Sequence, residues 1–223
     1  MNKKDSVKMK LSDRARDIIE WIVCILIAVI LALLIRYYIG TLTVVQQQSM
    51  HPTLEPGQRL ILNRWVRTTH QMPERGDIVT FEAPSEDYPI LSADFDRTNV
   101  IARYTNDPTN WFSKFVYYVL ETSKESYIKR VIALPGEHVK IQNGKVYVNG
   151  EELEEDYLSS SVKTEAEGGL LVDFTVPEGT VFAMGDNRAE SHDCRAFGCI
   201  PQDKIESIVL FRFWPFDKFG KVE

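Results

Sequence analysis

Residues 139–153 read VKIQNGKVYVNGEEL, and no other stretch of the chain indicates its fold class as strongly. Apolar and polar residues alternate on both sides of Asn143-Gly144, the dipeptide most typical of a tight β-hairpin turn. A second Asn-Gly pair at 149–150 turns the chain again. Because successive side chains of a strand point to opposite faces, the alternation predicts strands that pack one face on a core.

Short strand-like runs separated by turn residues continue on both sides of this hairpin. They are LILNRWV at 60–66, IVTFEAP at 78–84, LLVDFTVPEGTVFAMGDN at 170–187 and IESIVLFRFWPF at 205–216. So many turns are hard to reconcile with a helical bundle. The pattern predicts a mainly β fold with an all-β core.

Residues 85–127 interrupt this rhythm and are interpreted as an insertion between core strands. Their first part is polar, whereas WFSKFVYYVLE at 111–121 has apolar positions that fit a helical face. Such a stretch is consistent with a packing flap, with a membrane contact or with a lid over a site. The sequence leaves these three alternatives open.

The N-terminal region contains an uncharged apolar stretch, WIVCILIAVILALLI at 21–35. With its neighbours it covers residues 18–39, and a helix needs ~20 apolar residues to cross a bilayer. A cleaved signal peptide is the alternative, but no Ala-x-Ala motif follows closely. The expected organisation is a basic cytoplasmic tail at 1–17, a transmembrane helix at 18–39 and a β-rich domain at 40–223.

The charge distribution predicts the orientation of this helix. Residues 1–40 carry seven Lys/Arg and four Asp/Glu, whereas the rest of the chain carries 19 and 28. Lys and Arg beside a span stay on the cytoplasmic side, which predicts a cell-membrane protein with a cytoplasmic N-terminus and an extracytoplasmic β-domain. A domain this acidic argues against nucleic-acid binding.

The cysteines and histidines do not suggest a metal site. Cys24 lies inside the apolar stretch, whereas Cys194 and Cys199 are close in sequence on the exported side. A disulfide between them and two unpaired thiols both remain open, because spacing does not give geometry. The four histidines show no metal-ligand spacing, so we expect neither a metal nor a cofactor.

Ser49 and Lys129 are the candidates for nucleophilic chemistry. Ser49 lies in QSMHPTL at 48–54, about ten residues after the predicted transmembrane helix at 18–39, where a turn-forming proline helps to present its hydroxyl. A serine needs a base to act as a nucleophile, and no histidine lies in a recognisable catalytic context. Lys129, in the strand-like run YIKRVIALPGE at 127–137, can serve instead if apolar neighbours keep its amine neutral. Taken alone, such a lysine is usually a solvated surface residue.

The stretch GDNRAESHDCRAFG at 185–198 predicts a structured loop. Its Asp and Arg residues offer bidentate ion pairs that would make the loop rigid. Ser191 can hydrogen-bond a nearby lysine amine and orient it. A salt-bridged surface loop without a catalytic role is the alternative for this stretch by itself.

Taken together, these stretches resemble the bacterial type I signal peptidases. SMHPTL, GDIVTFEAP, YIKRVIALPGE and GDNRAESHDCRAFG appear in the family's order behind an N-terminal anchor, and the resemblance spans residues 15–215. It implies a signal-peptidase-like β-domain in which Ser49 is the nucleophile and Lys129 the general base. Each motif alone is weak, but four in this order are specific.

The resemblance also implies supporting roles for residues near this Ser-Lys dyad. Ser191 would orient the lysine amine, while Asp193 and Arg195 would brace the site. Met50 would pack against the methylene chain of the lysine and help to keep the amine dry. Gln47 would donate its amide to the oxyanion hole, beside the backbone N–H of the nucleophile.

Three positions depart from the usual family pattern. Gln47 stands two residues before the nucleophile, where part of the family supplies a hydroxyl donor. Ala133 replaces a usual glycine and Cys194 a usual serine, and both replacements are small. The oxyanion hole is therefore the element of the site that the sequence defines least.

The implied function is that of signal peptidase I, a membrane-bound serine endopeptidase that cleaves N-terminal signal peptides from exported preproteins. Its expected partners are secretory preproteins and the lipid bilayer, and the protein is expected to be a monomer. A non-enzymatic, membrane-anchored β-domain acting in protein export or assembly is the alternative. A self-cleaving repressor shares the Ser-Lys chemistry, but it would need a DNA-binding module and no span.

Overall fold

The computed structural model describes residues 13–85, 100–105, 108–121, 124–165 and 173–222. The first element is helix α1 (Asp13–Leu34), which continues as a π-helical turn at Ile35–Ile39. This helix is long and apolar enough to cross a membrane, and its apolar window is not buried by the rest of the protein. Most of the predicted basic tail, residues 1–12, lies outside the described residues.

Seven strands form the larger sheet, in the order β1-β2-β11-β3-β4-β9-β10 with antiparallel neighbours. The C-terminal strand β11 lies between β2 and β3, so the two ends of the β-domain meet inside one sheet. The strands are β1 (Gly40–Val44), β2 (Arg59–Asn63), β3 (Ile78–Glu82), β4 (Ser126–Ala133), β9 (Thr180–Met184), β10 (Ile200–Pro201) and β11 (Ile205–Trp214).

Four strands form the smaller sheet, in the order β7-β6-β5-β8. They are β5 (His138–Gln142), β6 (Lys145–Val148), β7 (Glu151–Glu152) and β8 (Asp173–Thr175). Asn143 and Gly144 connect β5 to β6 with φ angles of 54° and 78°. Two positive φ angles in a two-residue loop are what the Asn-Gly pair favours, because they match the twist of the strands. The mainly β fold behind one N-terminal apolar helix is confirmed.

The core of the β-domain consists of two clusters of buried apolar side chains. The larger cluster includes Val79, Phe81 and Val131 from the seven-stranded sheet and Val139 and Phe174 from the smaller one. The second cluster packs under the loop that follows β1. It consists of Val45, Met50, Leu54, Leu60, Leu62 and Ile78.

A helical segment lies between β3 and β4, inside the stretch interpreted as an insertion. Helix α3 (Trp111–Phe115) begins at Asn110, whose side chain accepts a hydrogen bond from the Ser113 N–H. A π-helical turn at Val116–Leu120 follows. Trp111 is 78% exposed and no residue of α3 or the following turn is buried. The remainder of the insertion at 86–99, 106–107 and 122–123 lies outside the described residues.

Two further short α-helices and two 3-10 turns, at Gln202–Lys204 and Phe216–Lys218, complete the described elements of the β-domain. Helix α2 (Trp65–Thr69) follows β2, and helix α4 (Cys194–Phe197) precedes β10. All four residues of α4 are buried.

Candidate active site

Ser49 lies in a turn after β1 that backbone hydrogen bonds fix closely. Val45 donates its N–H to the Gln58 carbonyl at 2.9 Å, and Gly57 donates to the Val45 carbonyl at 2.8 Å. Inside this loop, the Leu54 N–H donates to the Met50 carbonyl at 2.8 Å. Ser49 itself is 6% exposed, so the residue has little contact with solvent.

Lys129 lies in the middle of the larger sheet, where β4 pairs with β3 and Lys129 is opposite Val79. It is 1% exposed. Its Nζ lies 2.8 Å from the Ser49 Oγ, within hydrogen-bonding distance, although the two residues are 80 positions apart in the chain. The structure therefore brings the two candidates for the Ser-Lys dyad together.

Burial lowers the pKa of Lys129 from its ordinary value of 10.5 to about 8. Removing the ammonium from water disfavours its charged form, and this effect outweighs the nearby negative charge of Asp193, which raises the pKa. Arg195 adds to the lowering through its positive charge. At pH 7 about a tenth of this amine is thus neutral and able to accept a proton, far more than for an ordinary lysine.

The loop at 185–193 packs against the backbone of Ser49. The Asn187 N–H donates to the Ser49 carbonyl at 3.0 Å, and the Asn187 side chain donates to the Gln48 carbonyl at 3.3 Å. A Cβ at Gly185 would overlap both the Ser49 carbonyl oxygen and the Ser191 side chain. Glycine is needed at 185 because of this close approach. The loop contacts the backbone of Ser49 and thereby fixes the position of that residue.

Asp193 and Arg195 form a buried ion pair that holds this loop together. Arg195 donates from Nε to Asp193 Oδ1 at 2.8 Å and from Nη2 to Oδ2 at 2.9 Å. Asp193 also accepts the Gly185 N–H at 3.0 Å and caps helix α4. Arg195 further donates to the carbonyls of Arg188 and Glu165. These contacts fit the bracing role that the resemblance implied.

Ser191 is buried beside Gly185, but its hydroxyl has no hydrogen-bond partner among the residues that the structure describes. It therefore does not bond to Lys129 here, and its orienting role stays a prediction. Met50 is fully buried in the second core cluster, which Ile128 also contacts. Gln47 is exposed beside the groove described below.

Three contacts at the site were not found from the sequence. Arg130, to which the sequence assigned no partner, forms a buried bidentate pair with Asp186, at 3.0 and 2.8 Å. Its guanidinium also stacks on the Tyr157 ring at 3.9 Å. The hydrogen bond from Asn187 to the Ser49 carbonyl had no sequence signal either, since it joins residues that are distant in the chain.

A groove of about 650 Å³ runs between β1 and the first half of β4. Residues 41–47 line one wall and residues 126–128 line the other. Among the described residues, β1 pairs only with β2, and Ser126–Lys129 pair only with β3. Both walls therefore present unpaired backbone groups, and an extended peptide can add to them as a strand.

Cys194 and Cys199 are both buried and free, so the disulfide alternative is not the one found here. Burial raises the pKa of both thiols, which keeps them protonated and unreactive. The described part of the chain contains no group of three or more His, Cys, Asp or Glu side chains that could hold a metal ion.

Comparison with known proteins identifies the family of this chain. A family model described as signal peptidase, peptidase S26, matches residues 18–214. The chain belongs to this family. The matched range includes most of the apolar helix, the Ser49 turn, β4 and the loop at 185–198, so the resemblance to the signal peptidase family is confirmed.

Several relatives in the signal peptidase family match nearly the whole chain. Signal peptidase I of Bacillus licheniformis is 34% identical over 220 residues, which are 96% of this chain and 98% of that protein. Signal peptidase I T of Bacillus subtilis (strain 168) is 34% identical over 211 residues, 92% of this chain and 90% of that protein. A crystal structure of a signal peptidase I from Enterococcus faecalis V583 is 27% identical, covers 62% of this chain and 97% of that chain, and aligns with a TM-score of 0.38. Family membership and the apolar helix together indicate a membrane-anchored protein.

Proposed function

We propose that this chain is a membrane-anchored serine endopeptidase that removes signal peptides from exported preproteins, with Ser49 as nucleophile and Lys129 as general base. Membership of the signal peptidase family supports the activity and the substrate class. The observation that carries the residue assignment is the 2.8 Å approach of a buried lysine amine to a buried serine hydroxyl. The lowered pKa of that amine makes its neutral form, which a base needs, more populated at neutral pH than in an ordinary lysine.

The reaction follows from this geometry in two halves. The neutral amine of Lys129 takes the proton of Ser49 as the serine oxygen attacks the scissile carbonyl. The resulting ammonium then protonates the departing amine, and an acyl-enzyme remains on Ser49. Water, deprotonated by the same amine, hydrolyses this ester and restores the dyad.

The negative charge that develops on the carbonyl oxygen needs hydrogen-bond donors in both halves. The backbone N–H of Ser49 is one donor in this mechanism, and the side-chain amide of Gln47 is the second. Gln47 lies on the groove wall two residues before Ser49, which supports its assignment. Ser191 remains the candidate for orienting the lysine once substrate has entered the groove.

The substrate approaches from the membrane in this proposal. The basic N-terminal tail keeps the N-terminus in the cytoplasm, so the β-domain works on the outer face. Ser49 follows the apolar helix by only ten residues, which holds the groove close to the lipid surface. The working protein is a monomer, and its partners are preproteins and the bilayer.

The alternative of a non-enzymatic β-domain is not favoured. Such a domain has no need of a buried lysine beside a serine, because burying an amine in an apolar site opposes stability. The self-cleaving repressor is likewise disfavoured by an apolar helix of membrane-spanning length.

Mass spectrometry of a purified preprotein tests the proposal directly. The preprotein is incubated in detergent with the native protein, with Ser49→Ala, with Lys129→Arg and with the control Ser160→Ala, which changes an exposed serine. We expect the native protein and the control to release one signal peptide at one bond. Both dyad variants should be slower by at least about 1,000-fold, since a guanidinium cannot act as a base. Cleavage by Ser49→Ala at the native rate would rule out the assigned nucleophile.

A further inference from the structure

The C-terminal end of the membrane helix is capped by Arg64, which precedes helix α2, and by Arg67, which lies in it. The last carbonyls of any helix have no partner within the helix. Here the Arg64 N–H donates to the Ile39 carbonyl at 3.0 Å, and the Arg64 side chain donates to the Arg36 carbonyl at 3.3 Å. Arg67 donates to the Tyr37 carbonyl at 3.2 Å and stacks on the Tyr37 ring at 4.1 Å. Two cations at the negative end of the helix dipole strengthen this cap.

Glu121 joins the same cap from the segment that carries α3. Its carboxylate lies 2.9 Å from the Arg36 guanidinium and 2.7 Å from the Arg64 guanidinium. The Arg64 and Glu121 side chains are only 6% and 15% exposed, so water screens their attraction weakly. We refer to Arg36, Arg64, Arg67 and Glu121 as the anchor clamp.

The anchor clamp connects the membrane helix to the walls of the groove. Arg64 follows β2, which pairs with β1, and β1 leads directly to the Ser49 turn. Arg36, Arg64 and Glu121 also line one end of the groove. Three parts of the chain thus meet where the helix leaves the bilayer, and none of these residues lies at the dyad.

A joint of this kind differs physically from a flexible linker. With a flexible linker the groove would sample many heights and tilts above the lipid, and few of them would bring Ser49 to a peptide bond that is itself held at a fixed depth. A rigid joint holds the groove at one height and tilt, so Ser49 and the peptide bond are already oriented when they meet. A substrate free in solution gains nothing from it.

We propose that the anchor clamp is a positioning device that holds the groove at one height and orientation over the bilayer, so that Ser49 reaches the cleavage site of a membrane-held preprotein. This inference rests on the proposed function. Its residues touch no reacting atom, and they act through the placement of the β-domain.

The test compares two substrates of the same full-length enzyme in proteoliposomes. One is a preprotein whose apolar segment is inserted in the same vesicles, and the other is a short soluble peptide that contains the cut site. Arg67→Gln removes the hydrogen bond to the Tyr37 carbonyl and the stacking on the Tyr37 ring, and Arg67 does not line the groove. We expect kcat/KM for the preprotein to fall about 10- to 100-fold, because a misplaced reacting group costs about this much in other enzymes. The kcat/KM for the soluble peptide should stay within a factor of about two of the native value.

Two further variants keep this test decisive. Glu152→Gln removes an exposed carboxylate on β7 that pairs with Lys145, and it should change neither substrate. Tyr37→Leu removes the ring on which Arg67 stacks, also outside the groove lining, and should reproduce the selective loss even if Arg67→Gln fails to fold. An equal loss on both substrates, or no loss on either, in Tyr37→Leu overturns the clamp. Failure of the native enzyme to cleave either substrate counts against the proposed function instead.

Discussion

The proposed role of Lys129 as a base depends on two opposing effects on the pKa of its amine, burial and nearby charge. Desolvation opposes its positive charge, while Asp193 and Asp186 favour it, and desolvation wins. The result is a pKa of about 8 rather than a value so low that the amine would be a poor base. A base of this strength takes the serine proton and can still return it to the leaving amine.

The activity should therefore rise with pH around the pKa of Lys129. Only the neutral amine accepts a proton, so kcat/KM for a soluble peptide should increase about tenfold per pH unit well below pH 8 and level off above it. The measurement is a rate profile from pH 5.5 to 9.5, with the fold checked by circular dichroism at each end. A profile that is flat across pH 8, or that falls there, would contradict a lysine base of this pKa.

Gly185 gives the second prediction, because the loop passes so close to Ser49 there. Gly185→Ala would force its Cβ into the Ser49 carbonyl and the Ser191 side chain. We expect a destabilisation of about 1–3 kcal/mol, as for other overpacked sites, and a loss of activity of at least about 100-fold. Chemical unfolding and peptide cleavage measure the two effects.

Gly150→Ala is the matched control for this substitution. Gly150 has a φ of 87°, but an added Cβ would meet no atom within 4 Å. It should lose about 1 kcal/mol from backbone strain and keep its activity. Equal activity losses in the two variants would show that the position next to Ser49 is not special.

Strand β4 places two charged side chains on opposite sides of one sheet. Because side chains alternate along a strand, Lys129 faces the Ser49 hydroxyl while Arg130 pairs with Asp186 at the base of the loop. The same strand thus supplies the base and holds the loop that fixes the serine. A shift of its register by one residue would exchange these two side chains and destroy both contacts.

Arg130→Lys should weaken the connection between β4 and the loop. Lysine keeps the charge but cannot form the bidentate pair with Asp186 or stack on Tyr157 in the same way. We expect the free energy of unfolding to fall by about 1–3 kcal/mol, measured with urea and circular dichroism. The control Lys140→Arg changes a half-exposed cation on β5 and should stay within about 0.5 kcal/mol. A neutral result at Arg130 would mean that the buried pair contributes nothing beyond its charge.

Local features of the fold could be predicted from the sequence, but long-range pairing could not. The alternation around Asn143-Gly144 predicted β5 and β6, because turn chemistry and side-chain period are local properties. Nothing local shows that β11 lies between β2 and β3, since that pairing joins distant segments. The dyad was inferred from a resemblance to a family, because a strand lysine taken alone is usually exposed.

The supporting contacts of the site show the same limit. The sequence predicted ion pairs among the Asp and Arg residues of the loop at 185–198 without assigning partners, and the structure contains one between Asp193 and Arg195. The partner of Asp186 lies 56 residues away on β4, and the sequence offers several arginines that would serve equally well. Choosing among them requires the fold. Glu121 and Arg64 were missed for the same reason.

The molecule as a whole separates an apolar anchor from an acidic β-domain. No residue of α1 whose side chain is described is buried, and neither core cluster contains a residue of this helix. The helix therefore contributes attachment rather than folding energy to the β-domain. All four residues of the anchor clamp lie beyond α1, with Arg36 in the turn that starts at Ile35 and the other three in the β-domain.

Deleting residues 1–34 should thus give a folded, water-dispersed β-domain. We expect its free energy of unfolding to stay within about 1 kcal/mol of that of the full chain, because no described core residue is lost. It should cleave a soluble peptide but fail to sediment with lipid vesicles, which the full chain should do. Loss of β-type circular dichroism in the truncated protein would show that the helix is part of the folding unit.

The two unpaired strand edges that face each other across the groove have one more consequence. Main-chain groups are the same in every polypeptide, so a segment held between β1 and β4 is bound largely without regard to its side chains. An enzyme built in this way can serve many unrelated clients with a single site. Selectivity is then left to the few positions whose side chains must fit beside Ser49, and to whether a client presents an unfolded stretch there at all.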